Sequence, residues 1–145
     1  MGFIQKNSKI HPIRRQPSME HSIKNVLVLG VGNILIKDEG VGVHVIRRIL
    51  ESGIKIPDNI ELVDGGTAFH ELVPLMMSRE RIIIVDALKY DDTPGSIFRF
   101  PASFLKTSNP LRLTPCFDIR ELVSQVKIIG YNPEVEIIGI VPRGY

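Results

Sequence analysis

The stretch that most constrains the fold is "RIIIVDAL", residues 81–88, which is apolar over most of its length. An uninterrupted apolar run this short is typical of a strand in the middle of a parallel sheet, covered on both faces. The runs "VLVLG" (26–30), "IELVDGG" (60–66) and "EVEIIGIV" (134–141) predict three further strands. The chain is therefore expected to contain a largely parallel sheet.

Segments with helical spacing of apolar residues separate these strands. We predict helices over 40–53, 67–78 and 118–130, with Pro74 shortening or bending the second and Asp118 as N-cap of the third. Residues 93–100 predict a hairpin-like excursion. The alternation implies a three-layer α/β domain whose mainly parallel twisted sheet is flanked by helices. In such a domain the ligand cleft lies outside the carboxyl ends of the strands.

The length and composition fit one globular unit. The chain has 145 residues, of which 43% are hydrophobic and 23% charged, a balance typical of a protein that folds around a single core. Residues 1–24 show no apolar period and mix basic, polar and proline residues. We predict a disordered basic leader over 1–24 and a single α/β domain over 25–145.

The charge distribution bounds the partners. The formal net charge is +2, but five basic residues against one acidic give the leader +4, which leaves −2 for the remainder. The leader lacks the aromatic residues and the fold signature of a nucleic-acid interface, so we expect no nucleic-acid partner. No apolar stretch approaches the ~20 residues of a spanning helix, so we expect no membrane association. The single cysteine, Cys116, excludes an internal disulfide and favours the cytoplasm.

Four acidic residues follow predicted strands. Asp38 and Glu39 come after the first strand, Asp64 is placed at the end of the second and Asp86 at the end of the third. Three of them have a structural interpretation: Asp38 as helix N-cap, Glu39 as a charge favoured by the helix dipole, and Asp86 as an acceptor for backbone amides. Several carboxylates at one cleft alternatively favour a metal or proton-transfer site.

The glycines of "GVGNIL" suggest a dinucleotide-binding site, and the acidic cluster of Asp38, Glu39 and Asp86 suggests a receiver domain, but the sequence disfavours both. A dinucleotide-binding fingerprint would need a third glycine at Leu35 and would place a carboxylate beside the pyrophosphate. A receiver domain would need its acidic pair directly after the first strand and a lysine at the end of the last one.

Four motifs occur in a specific order: "GVGNILIKDEGVGVHV", "LVDGGTAFHELVP", "IIIVDAL" and "EIIGIVP". With these motifs, from about Val26 to Pro142, the chain resembles the nickel-iron hydrogenase maturation endopeptidases. The resemblance implies a peptidase that removes the C-terminal extension of the hydrogenase large-subunit precursor. In that family the nickel arrives with the substrate and serves as the recognition element. The precursor is thus the expected partner and nickel the expected cofactor, supplied by the substrate.

The same resemblance assigns the site residues. A glutamate of the D-[DE]-G motif and an aspartate of the D-G-G-T motif bind the nickel, and they correspond to Glu39 and Asp64, which we expect to be both catalytic and metal-binding. A third ligand, a histidine in a later loop, is replaced here by Cys116. A thiolate is a credible nickel ligand, although a buried free cysteine is the equal alternative. His44 and His70 are further candidates for the third ligand.

The mechanism expected from this site is metal-assisted hydrolysis. No serine or cysteine lies in a nucleophile-elbow context beside a positioned histidine, which argues against those peptidase classes. The competing hypothesis is a binding module that recognises the nickel-loaded precursor without cleaving it, because the family histidine is missing. We expect a monomer, although the sequence does not determine the oligomeric state.

Overall fold

The computed structural model of the protein describes residues 24–105, 112–113 and 118–143. The described residues form three α-helices, α1 (Val41–Glu51), α2 (Phe69–Met76) and α3 (Ile119–Ile129). They also form six strands: β1 (Val26–Val31), β2 (Ile60–Gly66), β3 (Arg81–Lys89), β4 (Ile97–Pro101), β5 (Arg112–Leu113) and β6 (Glu134–Ile140). Every strand and helix predicted from the apolar patterns is present, with shifts of one or two residues at most ends.

The sheet has the order β2-β1-β3-β6-β4, and β5 pairs with the end of β3. β1, β2, β3 and β6 run parallel, so their carboxyl ends share one edge of the sheet. The chain leaves β1 for β2 on one side and then crosses to β3 on the other side. β1 and β3 therefore flank the topological switch point, where α/β sheets form their ligand crevice.

The helices cover both faces of this sheet. Gly30 faces α1, since a Cβ atom there would lie 2.3 Å from the carbonyl oxygen of Gly42. The next residue along the pleat, Leu29, faces the other layer, where it packs beside Leu72 of α2 against Gly65. α3 lies with α2 in that layer. The predicted three-layer α/β class is therefore confirmed.

Most of the buried apolar side chains lie between the sheet and the α2–α3 layer. Strand alternation places every second residue of β1 in this core, because successive side chains point to opposite faces. The side chains with no exposed surface include Leu27, Leu29, Met76, Ile82, Ile84, Leu88, Leu122, Val126 and Ile137.

The ends of α3, the proline in α2 and the pairing of β4 test individual predictions. Asp118 is the N-cap of α3 and accepts from the amide of Arg120, and Gly130 ends that helix with φ of 121°, both as predicted. Pro74 lies inside α2, which is only eight residues long. The prediction of a hairpin over 93–100 is wrong in its pairing: β4 is antiparallel to β6, which separates it from β3.

The first described residue, Lys24, is hydrogen-bonded to the rest of the domain. The carbonyl of Lys24 accepts a hydrogen bond of 2.6 Å from Nη1 of Arg79, a largely buried side chain that also pairs with Glu61. Residues 1–23 of the predicted leader lie outside the described residues. Among the described helices, none has the length and apolar character needed to cross a bilayer.

Candidate active site

The segment that joins β1 to α1 carries the first candidate acids. It runs from Gly32 through a turn at Asn33 to a 3-10 helix over Lys37–Gly40, and α1 begins at Val41 with Gly40 as its N-cap. The prediction that Asp38 caps this helix is therefore wrong, since it lies two residues before the cap. Both acids lie within the 3-10 turn, which directly precedes α1.

Glu39 is almost enclosed at this position. Only 8% of the residue is exposed, and its amide donates to the carbonyl of Ile36 at 2.8 Å. The described residues provide no hydrogen bond or ion pair for its carboxylate. Its own carbonyl oxygen lies against Gly32, where a Cβ atom would approach to 2.1 Å. Glu39 is thus a largely buried residue, although its carboxylate oxygens are not among the enclosed polar atoms that lack a hydrogen-bond partner in the described part of the chain.

Asp64 lies on β2, level with Gly30 of β1. Its Oδ2 accepts from Nε of Arg47 on α1 at 2.9 Å, and 33% of its side chain is exposed. The second oxygen, Oδ1, lies toward Gly66, 3.9 Å from where a Cβ atom on that glycine would be. One oxygen is therefore held by an arginine while the other lies on the side where the strand ends.

Gly32 connects the Glu39 segment to the end of β2. Its amide donates to the carbonyl of Gly66 at 3.0 Å, two residues after Asp64, while its Cα abuts the backbone of Glu39. Only glycine fits, because the contact leaves no room for a side chain and φ is +133°. The two predicted site acids thus lie on segments that flank one residue at the carboxyl edge of the sheet.

Asp86 lies directly after the last residue of β3 that pairs with β1, but the prediction that it ends the strand is wrong. β3 continues three residues beyond it to Lys89, and only 1% of Asp86 is exposed. Its Oδ1 accepts from the amide of Ala87 at 2.8 Å. Asp86 is thus an internal strand residue whose carboxylate accepts a hydrogen bond from the neighbouring backbone, as its structural interpretation predicted.

The candidates for a third metal ligand are His44, His70 and Cys116. His44 and His70 are both exposed, on α1 and at the start of α2. Across the described ranges no three acidic, histidine or cysteine side chains lie close enough to hold a metal ion, so neither histidine completes a set with Glu39 and Asp64. Cys116 falls outside the described residues, and its assignment stays a prediction.

Sequence reasoning missed two features of this edge. The first is Arg47, since helical spacing alone does not tell which of two adjacent arginines faces β2. The second is an open cavity of about 630 Å³ at the ends of β3 and β6, lined by Lys89, Tyr90, Asp91, Asp92, Pro142 and Arg143 among others. Its walls come from the carboxyl ends of β3, which lies beside β1, and of β6, which lies beside β3, so it opens on the same edge of the sheet as the acids.

The fold and this edge define a class: a doubly wound α/β protein with two acidic residues, one largely buried and one partly exposed, beside its switch point. Comparison with known proteins identifies the family. A model of the hydrogenase maturation protease family matches residues 43–144. The chain belongs to that family, and its class of enzyme is peptidase.

Individual relatives agree with this assignment. The Hydrogenase 2 maturation protease of Escherichia coli is 35% identical over 125 residues, covering 81% of this chain and 73% of that protein. A hydrogenase expression/formation protein of Rhodobacter capsulatus is 33% identical, and the chain spans only 58% of its length.

Solved structures show the same fold. The hydrogenase maturating endopeptidase of E. coli superposes with a TM-score of 0.67 at 32% identity, over 83% of this chain and 75% of that one. The NiFe hydrogenase maturation protease of Thermococcus kodakarensis gives 0.68 at 27% identity, over 83% and 81% of the two chains.

Proposed function

We propose that this protein is an endopeptidase that removes the C-terminal extension of a nickel-loaded hydrogenase large-subunit precursor, with the nickel of the substrate as the recognition element. The observation that carries the proposal is the placement of Glu39 and Asp64 on the two segments that flank Gly32, in a chain of this family.

The state of each carboxylate supports a role in binding a cation. Glu39 lies on a largely buried segment beside Gly32, and no described side chain pairs with its carboxylate, which leaves that group available to a cation. Asp64 offers Oδ1 while Arg47 holds Oδ2. Carboxylate oxygens from two segments would thus supply part of the coordination of the substrate's nickel.

The chemistry proposed is metal-assisted hydrolysis of one peptide bond. Water adds to the carbonyl carbon, the carbon–nitrogen bond breaks, and the released amine takes the proton. The nickel either polarises that carbonyl or lowers the pKa of the attacking water. The open depression beside Lys89 and Arg143 lies on the same edge of the sheet and offers a surface along which the polypeptide could extend. We propose Cys116 as the third ligand and the cytoplasm as the place of action.

The experiment is to incubate the protein with nickel-loaded precursor and to weigh the products. The wild type should release the extension, whereas Glu39→Gln and Asp64→Asn should not, because each removes the charge of a proposed ligand. Glu39→Gln should change the free energy of unfolding by less than about 1 kcal/mol, because no described residue pairs with its carboxylate. Asp64→Asn should change the free energy of unfolding by less than about 1 kcal/mol.

Normal cleavage by either variant would contradict the assignment of that residue to nickel recognition. Binding of the precursor by the wild type without cleavage would instead favour the non-cleaving binding module. Cys116→Ser, included in the same series, should lose more activity than Cys116→His if the thiolate is a ligand.

A further inference from the structure

The loop between β1 and Glu39 exposes three consecutive apolar residues. Ile34, Leu35 and Ile36, here called the apolar turn, are 40%, 87% and 44% exposed. Single exposed apolar residues are common on protein surfaces and need no explanation. Three in a row in one turn form a contiguous patch, which is typical of an interaction surface.

The apolar turn is fixed in place by its own backbone. Oδ1 of Asn33 accepts from the amide of Leu35 at 2.9 Å, and the carbonyl of Asn33 accepts from the amide of Ile36 at 3.2 Å. On its inner side, the backbone of Ile34 packs against Gly40, where a Cβ atom would lie 2.6 Å from the Cα of Ile34. A partner would therefore meet an ordered surface and lose little affinity to ordering the loop.

The position of the apolar turn relates it to the proposed site. The carbonyl of Ile36 accepts from the amide of Glu39, so the turn and the proposed ligand belong to one hydrogen-bonded segment. Of the other exposed apolar residues, Tyr90 lines the cavity at the end of β3, whereas Ile128, which is 80% exposed, is near the end of α3, shortly before β6 begins. That places Ile128 at the amino edge of the sheet, opposite the carboxylates.

We propose that the apolar turn is a docking surface for an apolar segment of the precursor polypeptide, and that it binds this segment independently of nickel. The proposal rests on the function proposed above. A peptidase must hold its polypeptide across the carboxylates, and the apolar turn is the uncharged surface directly continuous with them. Recognition then has two separate parts, apolar contact for the polypeptide and carboxylates for the metal.

The test measures binding of purified large-subunit precursor, both nickel-free and nickel-loaded, to the full chain. Leu35→Ser should weaken binding of both forms by the same factor, roughly 10- to 100-fold, because a leucine side chain is no longer buried. Leu35→Met should bind like the wild type. Glu39→Gln should weaken binding of the nickel-loaded form alone. Ile128→Ser is the matched control, and binding should not change.

Equal binding by Leu35→Ser and the wild type would overturn the docking proposal. So would a loss confined to the nickel-loaded form, or a wild type that binds no precursor. If the turn instead joins two copies of this chain, Leu35→Ser would change the oligomeric state in sedimentation and leave precursor binding intact, which also overturns the proposal. Leu35-dependent binding without cleavage would uphold docking and refute the proposed function. If Leu35→Ser left both cleavage and binding unchanged, the docking proposal would be refuted and the proposed function upheld.

Discussion

Asp64 is held by a residue that lies 17 positions earlier in the chain, Arg47. Both side chains are substantially exposed, at 33% and 47%, so the ion pair contributes little to folding. Its consequence is geometric, since it fixes one carboxylate oxygen and with it the direction of the other. Partners that orient a metal ligand in this way commonly affect metal affinity more than stability.

Arg47→Ala should therefore change the free energy of unfolding by less than about 1 kcal/mol. It should weaken binding of the nickel-loaded precursor about tenfold, because Asp64 loses the partner that orients it. Arg48→Ala is the control, because Arg48 is an exposed arginine of the same helix that makes no hydrogen bond or ion pair with the described residues. Titration of the precursor against each variant measures the effect, and equal affinities for Arg47→Ala and Arg48→Ala would contradict it.

At the scale of elements, α1 lies unusually close to the strands beneath it. A Cβ atom at Gly42 would lie 2.1 Å from the carbonyl oxygen of Val85 and 2.5 Å from that of Val31. The helix thus packs backbone to backbone against β1 and β3. This contact fixes the start of α1, and hence both the Glu39 segment before it and Arg47 within it.

Gly42→Ala should destabilise the protein by about 3 kcal/mol, because α1 must move away from two strands to accommodate the methyl group. The same movement displaces Glu39 and Arg47, so cleavage should fall more than the loss of folded protein explains. At Gly53, with φ of +78°, an added methyl group meets nothing within 4 Å. Gly53→Ala should cost only about 1 kcal/mol and leave cleavage normal. Urea unfolding and cleavage rates are measured for both variants. If Gly42→Ala and Gly53→Ala lowered the free energy of unfolding by similar amounts, α1 would be free to shift, which would contradict this prediction.

At the scale of the whole molecule, one carboxylate joins three strands that are distant in sequence. Glu136 of β6 accepts from Nη2 of Arg81 on β3 at 2.6 Å, and from Nε and Nη2 of Arg99 on β4 at 3.1 and 3.0 Å. The hydrogen bonds from Arg99, and then those from Arg81, hold the pKa of Glu136 below its usual value. The ionised form is thus favoured in the folded state.

A lowered pKa stabilises the fold at pH values above the unfolded pKa, about 4.3 for a glutamate, and the contribution disappears as the pH falls through the folded pKa. Glu136→Gln should cost roughly 1 kcal/mol at pH 7, and its difference from the wild type should shrink toward pH 3. Urea unfolding at several pH values measures this. A Glu136→Gln difference that is constant with pH would refute the assignment.

The sequence alone determined the elements and their class. Apolar runs and helical spacing are local properties, so they located the parallel strands, the three helices and the cap at Asp118. Local motifs likewise indicated the family and selected Glu39 and Asp64. The tertiary structure decided what burial and distant pairing control: that Glu39 is enclosed, that Asp86 is internal, that Arg47 holds Asp64 and that β4 pairs with β6. These outcomes depend on which surfaces meet after the chain crosses the sheet, and no local pattern records that.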